Sequence, residues 1–146
     1  MPNRTDAPLL LVEDNPDDLA LSLRAFRLAG LVNPIVVARD GIDALEQLAM
    51  HRGPDLPVLV VLDLKMPRLD GIGVLKAIRA DPRTCLIPVL ILTSSVLSDD
   101  IRACYGVGAN SYLVKPIDFA EFASTVALMT QYWLHCNALP PPAELV

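Results

Sequence analysis

The sequence predicts a doubly wound α/β domain on a five-stranded parallel sheet, and three observations carry that expectation. Five short runs rich in Val, Ile and Leu recur along the chain, separated by stretches of helical periodicity. The runs show little polar alternation, as expected of strands covered on both faces. Strand and helix alternate throughout, which implies right-handed βαβ crossovers.

The first strand is Leu9–Val12. Behind it, Asn15-Pro16-Asp17-Asp18 offers an N-cap, a proline at the first helical position and two acids in the first turn, which favour the helix dipole and read as solvated. Leu19, Leu23 and Phe26 give that helix one apolar face. The second strand is Ile35–Ala38, and an insertion-like stretch, His51–Pro57, precedes the third, Val58–Leu62. Asp70-Gly71-Ile72-Gly73 reads as a turn into a helix, because a lone GxG is weak evidence for a phosphate loop. Val89–Leu92 is the fourth strand. Ser98 is expected to cap a short helix that stops at Gly106 and Gly108, and Ser111–Val114 is the fifth strand. Asp118 with Glu121 reads as a capping box, and Phe119, Phe122, Val126, Met129 and Trp133 follow at helical spacing. That spacing assigns Trp133 to the core and leaves Tyr132 off the apolar face, as an interface residue. His51 and His135 read as surface or interface residues.

The 146 residues fit one domain, expected over 1–136, with a proline-rich tail over 137–146 that is extended or disordered. An apolar fraction of 53% is high and hints at an oligomer, yet the longest apolar runs are far short of the ~20 residues of a membrane helix. The net charge of −5, without a basic block, argues against direct nucleic-acid binding. Met1 to Pro8 lacks the apolar core of a signal peptide, and Cys85, Cys104 and Cys136 form no CxxC pair. Both features fit reduced thiols in a cytoplasmic protein. No output module is legible, so the signal is expected to leave through protein contacts.

Ligands of open α/β sheets bind beyond the carboxyl ends of the strands. Those ends carry Glu13 and Asp14, Asp63, Thr93 and Lys115. If the first and third strands are neighbours, three carboxylates converge and repel, and a bound cation is the natural remedy. All-oxygen donors open to water suit Mg²⁺, with Mn²⁺ as a substitute, better than zinc. A carboxylate beside such a cation and a lysine is a nucleophile towards phosphorus. Phosphoryl transfer needs chiefly positioning and charge neutralisation, which the metal, Lys115 and the Thr93 hydroxyl can divide among three oxygens.

The segments LLLVEDNPDD, VVLDLKMPRLDG, ILTSS and SYLVKP resemble the four signature blocks of two-component receiver domains of the CheY-like fold. The 30-residue step from Asp63 to Thr93 and the 19-residue step on to Tyr112 fit that pattern. The resemblance implies strand order 2-1-3-4-5, Asp63 as phosphoacceptor, Asp14 as a direct metal ligand, and Glu13 as a ligand mainly through water. It further implies a ligand in the backbone carbonyl of Lys65, a Thr93/Tyr112 switch and a cis Lys115–Pro116 bond. Lys65 replaces the asparagine common in the family, which bears on the lifetime of the phosphorylated state. The small Ser94 should leave the acyl phosphate accessible. The ends, VEDNPDDLALSLRAFRLAG and YWLHCNALPPP, are similar to stand-alone response regulators, some of them partners of bacterial phytochromes or other sensor histidine kinases. That subgroup implies a homodimer through the face of helix four, strand five and helix five, with help from the tail.

Two rival functions fit the residues less well. A haloacid-dehalogenase-type phosphotransferase also uses an aspartate nucleophile and Mg²⁺, but it needs a second acid where Lys65 stands, and no cap domain is legible. A phosphate-independent receiver scaffold would have lost an acid, the threonine or the lysine, and all are present. The expected activity is therefore not an enzyme's beyond Mg²⁺-dependent self-phosphorylation and autodephosphorylation.

Overall fold

A computed structural model of the chain describes residues 5–141. The elements follow in the order β1 (Leu9–Val12), α1 (Pro16–Leu28), β2 (Ile35–Ala38), α2 (Gly41–Met50), a 3₁₀ turn (Gly53–Asp55), β3 (Leu59–Leu62), α3 (Gly71–Ala80), β4 (Val89–Thr93), α4 (Ser98–Val107), β5 (Ser111–Val114) and α5 (Phe119–Gln131). All four strand pairings are parallel, in the order β2-β1-β3-β4-β5. The doubly wound class and the strand order are as expected.

Each central strand divides its side chains between two cores. Leu10, Val12, Val60 and Leu62 join the layer under α2, α3 and α4, whereas Leu9, Leu11, Leu59 and Val61 join Leu19, Phe26, Phe122 and Val126 under α1 and α5. Burial on both faces accounts for the missing polar alternation. β1 pairs with β3 so that Val12 lies opposite Leu62, and this register brings the next residues of both strands together at one end of the sheet.

Local signals explain most helix ends. The Asn15 side chain accepts from the Asp17 and Asp18 amides, and Asp118 accepts from the Glu121 amide. Gly108 closes α4 with φ 116°. Ser98 does not cap α4: it is the first helical residue, and the N-cap position falls on Leu97, which makes no side-chain cap bond. Ser95, one turn earlier, takes the capping part instead, its hydroxyl accepting from the Leu97 amide at 3.3 Å. At the far end, α5 passes into a π turn over Tyr132–Cys136, and the wider turn leaves Trp133 only partly buried against the α1/α5 core while Tyr132 is exposed. Of the tail, Leu139 packs against that same core and Pro140 and Pro141 line a small cavity with Leu56, Pro57 and Leu86, so its described part folds back on its own chain. Residues 142–146 lie outside the described residues. The three cysteines are free thiols.

Arg79, near the end of α3, is half-buried and pairs with no carboxylate among the described residues. Its guanidinium donates to the carbonyls of Cys85, Ile87 and Gly108 and to the side-chain oxygen of Asn110, at 2.7 to 3.0 Å. It thereby ties the C-terminal end of α4 to α3 and to the start of β5. Arg79→Met should leave these acceptors unmet and lower the unfolding free energy in urea by about 2 kcal/mol, the cost of stranding buried acceptors.

Candidate functional site

The ladder bonds continue past the strand ends and place the polar residues. The Glu13 amide donates to the Ala38 carbonyl at 3.0 Å, the Asp63 amide to Val12 at 3.2 Å and the Lys115 amide to Thr93 at 2.7 Å. Because β1 lies between β2 and β3, Glu13, Asp14 and Asp63 come together, and a carboxylate oxygen from each lies within 4.8 Å of the others. Glu13 is buried, whereas Asp14 and Asp63 are partly open to water.

Lys115 reaches into this group from β5. Its ammonium donates to Glu13 Oε1 at 2.5 Å and lies 3.4 Å from both Asp63 Oδ2 and Asp18 Oδ2. Asp18 is therefore not merely a solvated first-turn acid. The first turn of α1 overlooks the strand ends, and Asp18 completes the acidic rim; its signal in the sequence was its place one turn behind Asp14. Asp63 Oδ1 is held by the Leu64 amide at 2.7 Å, leaving Oδ2 towards the lysine. Three carboxylates thus face one ammonium, with Asp14 beside Glu13 and Asp63.

Burial pushes the Glu13 carboxyl up to about 7, against the pull of its hydrogen bond from Lys115. Burial also works against the charge of Lys115, but Glu13, Asp63 and Asp18 outweigh it and hold the ammonium above its ordinary value. The donor set consists of hard oxygens with one side partly open, and it fits a divalent cation such as Mg²⁺ or Mn²⁺. Lys65 stands two residues beyond Asp63 with its side chain exposed.

Thr93 ends β4 and is 2% exposed. Beyond it, Ser94 is exposed and Ser95 is buried. The Ser95 amide donates to Thr93 Oγ1 at 3.4 Å, its hydroxyl donates to Asp100 Oδ2 at 2.5 Å, and Tyr112 donates to the Ser95 carbonyl at 3.0 Å. Tyr112 packs against the core under α4, and burial raises its phenol above the usual value. Thr93, Ser95, Asp100 and Tyr112 are therefore one hydrogen-bonded chain across the β4–α4 loop. Ser95 and Asp100 escaped sequence reasoning; a hydroxyl followed at five residues by a first-turn acid was the available signal.

The expected cis Lys115–Pro116 bond is corrected, since no cis peptide occurs among the described residues. The trans form is intrinsically favoured by about 0.5–1 kcal/mol before proline, and here it already delivers the Lys115 ammonium to the carboxylates. His51 contacts the Gln47 carbonyl on α2 and His135 is exposed in the π turn, so neither enters the site.

Comparison with known proteins finds that the sequence model of the response regulator receiver domain matches residues 9–127. A probable methanogenesis regulatory protein of Methanothrix harundinacea, FilR2, is 43% identical over 137 residues, covering 92% of this chain and 88% of that protein. Response regulator Rcp1 of Synechocystis is 33% identical, covering 90% of this chain and 92% of Rcp1. The crystal structure of its Mn²⁺-bound form superposes with a TM-score of 0.80 at 31% identity, covering 92% of this chain and 99% of that one. The phosphorylated cyanobacterial phytochrome response regulator RcpA superposes with a TM-score of 0.85 at 32% identity, with the same coverage.

A cation held by this acidic cluster would be favoured by an ionised Glu13 and would compete with the proton that burial favours. A carboxyl raised from 4.5 to about 7 takes up a proton on folding, and the metal-free chain should lose stability as pH rises across that window. Mg²⁺ affinity should move the other way, strengthening as pH rises to about 7 and levelling above it, with up to a roughly tenfold change per pH unit below. Calorimetric titrations between pH 5.5 and 8.5 measure this, with proton release on binding as a second readout.

Proposed function

Because this chain belongs to the response regulator receiver domain family, we propose that it is a single-domain response regulator that accepts a phosphoryl group on Asp63 from a sensor histidine kinase. The observation that carries the assignment to Asp63 is the convergence of three carboxylates within 4.8 Å, with the Lys115 ammonium beside them. Asp63 Oδ2, which faces the Lys115 ammonium at 3.4 Å, would form the O–P bond as the P–N bond of a phosphohistidine breaks, the imidazole leaving with a solvent proton. Mg²⁺ held by Glu13, Asp14, Asp63 and the Lys65 carbonyl would supply charge neutralisation for the transferring group. Lys115 would then exchange part of its pairing with Glu13 for a phosphoryl oxygen.

A donor would dock beside Lys115. A groove of about 240 Å³ runs between α1 and the β5–α5 loop, with Leu21, Ile117 and Phe119 on its wall and Ser94 and Lys115 at its head. A phytochrome-type kinase is the first donor to test, since RcpA is named as a phytochrome response regulator. Thr93, on swinging to the phosphoryl group, would leave the Ser95 amide and loosen the Ser95 ties to Asp100 and Tyr112. The N-terminal end of α4 would respond, because Arg79 holds the other end. A differential affinity of a few kcal/mol suffices for such a shift.

Output would pass through the α4–β5–α5 face, where Leu97, Tyr105, Val114 and Tyr132 are exposed apolar residues. A second copy is the proposed partner there, with help from the tail, whose Leu139 and Pro140 also pack on their own chain. Among the described residues no helix is long and apolar enough to cross a membrane, and the reading places the chain in the cytoplasm. The phosphotransferase alternative gains nothing: Lys65 occupies the position of its second acid.

Incubation with acetyl phosphate and Mg²⁺ should add one phosphate by intact-mass spectrometry, and Asp63→Asn should abolish it. Lys115→Ala should impair the phosphorylation-induced change in α4 exchange more than it weakens Mg²⁺ binding; equal losses would reduce Lys115 to a structural ion-pair partner. In light scattering, Tyr105→Glu should raise the dimer dissociation constant at least about tenfold, the effect expected of burying an unpaired charge.

A further inference from the structure

Arg68 is the only non-glycine residue with positive φ among the described residues, at 67°. The Leu69 amide donates to the Pro67 carbonyl at 2.8 Å, so Arg68 is the central residue of a three-residue turn closed by one bond. The positive-φ form of this γ-turn is rare and strained, and a side chain adds to the strain. Such a turn persists only where its surroundings hold it. Here the holder is visible. The Arg68 guanidinium forks onto the Asp40 carboxylate, Nε at 2.9 Å from Oδ2 and a terminal nitrogen at 3.1 Å from Oδ1.

Asp40 is itself fixed. It is the N-cap of α2, accepting from the Asp43 amide at 2.8 Å. Its neighbour Gly41 lies so close to Leu69 that a Cβ there would collide with the Leu69 carbonyl oxygen. The start of α2 is thus pressed against the apex of the β3–α3 loop. The loop's base is closed by the Gly71 amide donating to the Leu64 carbonyl at 2.8 Å, and a Cβ on Gly71 would strike the carbonyl oxygen of Asp63. Lys65 lies between base and apex.

We propose that Asp40 and Arg68 are positioning residues for the metal site, a clamp from α2 that holds the β3–α3 loop, and with it the Lys65 backbone, in the conformation ready for a divalent cation. The proposal rests on the assignment of the metal to Glu13, Asp14 and Asp63. Neither clamp residue touches the metal. Their contribution is to order the loop beforehand, so that cation binding does not have to order it.

The charges of the clamp make it separable from a simple field effect. Arg68 is a cation near a cation site, so its removal through space alone would strengthen Mg²⁺ binding, while loss of the Asp40 charge would weaken it. A clamp predicts weakening from either side. It also predicts that the second loss adds nothing to the first, because the two residues act as one unit.

The test is a double-mutant cycle on the unphosphorylated full chain, with Mg²⁺ affinity read by calorimetry for the native protein, Arg68→Ala, Asp40→Asn and the double variant. The asparagine keeps an oxygen for the Asp43 amide. Each single variant should bind Mg²⁺ roughly two- to fivefold more weakly, the range of a well-oriented exposed ion pair, and the double variant no more weakly than either. The native-to-variant ratio should shrink towards one in molar salt, which screens the pair. Hydrogen exchange without metal should be faster at the Leu69 and Gly71 amides in Arg68→Ala and unchanged in α1 and α5. Should a variant fold poorly, Arg68→Lys, which retains the charge but not the fork, should give an intermediate loss. Unchanged affinity, a gain in Arg68→Ala or additive losses would overturn the clamp while leaving the metal site standing. Absence of Mg²⁺ binding by the native chain would overturn both.

Discussion

The register of β1 against β3 is the constraint from which the rest follows. With Val12 opposite Leu62, the residues that leave the two strands are Glu13, Asp14 and Asp63, and parallel pairing permits no separation between them. Burial raises the proton affinity of Glu13, and the nearby Asp63 charge adds to the effect. A chain that only had to fold would gain by replacing one of them with an apolar residue. The strands behind them are so uniformly apolar that the sheet can carry the cost: Leu9, Leu10, Leu59, Val60 and Leu90 are fully buried and set the register by themselves. Stability is therefore supplied by the middle of the sheet and electrostatic strain is concentrated at its end.

Lys115 moderates that strain without removing it. Its closest partner is Glu13, the most buried of the acids, and its distance to Asp63 Oδ2 is nearly an ångström longer. Asp63 therefore keeps an oxygen whose charge is only partly matched, next to an ammonium that can follow a new anion. On the other side of β4, Thr93 is engaged as an acceptor for Ser95 rather than with the acids. The two halves of the site touch different partners at rest, and under the proposed function a phosphoryl group would be their common new one. Such an arrangement would be bistable, a local charge exchanging one set of hydrogen bonds for another.

Much of this could be read from the residues, and the misses have physical causes. The strands were legible because apolar runs buried on both faces need no context to be seen, and β1, β2 and β5 fall on the predicted bounds. The five site residues at strand ends were legible because topology alone brings them to one edge. The Asp18–Lys115 contact was not legible because a first-turn acid has the same sequence signature whether water or Lys115 lies opposite it. Ser98 was given the capping role that Ser95 performs, since three nearby serines and a following acid pair do not reveal which hydroxyl turns inward. Arg68 and Asp40 are 28 residues apart, and no periodicity announces a contact that depends on how two loops meet. Arg79 is similar: its partners are carbonyls, which carry no side-chain signal.

The unequal fastening of α4 gives the local exchange a direction. Its C-terminal end is held by the Gly108 cap bonds and by two Arg79 nitrogens on the Gly108 carbonyl, donors that a charge at Asp63 does not touch. Its N-terminal end has Ser95 as anchor, and Ser95 is in turn bonded to Thr93, Asp100 and Tyr112. A pull on Thr93 therefore acts on the weaker end alone. The helix carries Tyr105 outward and packs Cys104 inward, so displacement of its first turn alters an exposed apolar face without opening the core beneath it. Under the proposed function a signal would cross from the partly open Asp63 carboxylate to a surface in this way, because close-packed layers do not deform continuously: one end yields only if the other is fixed.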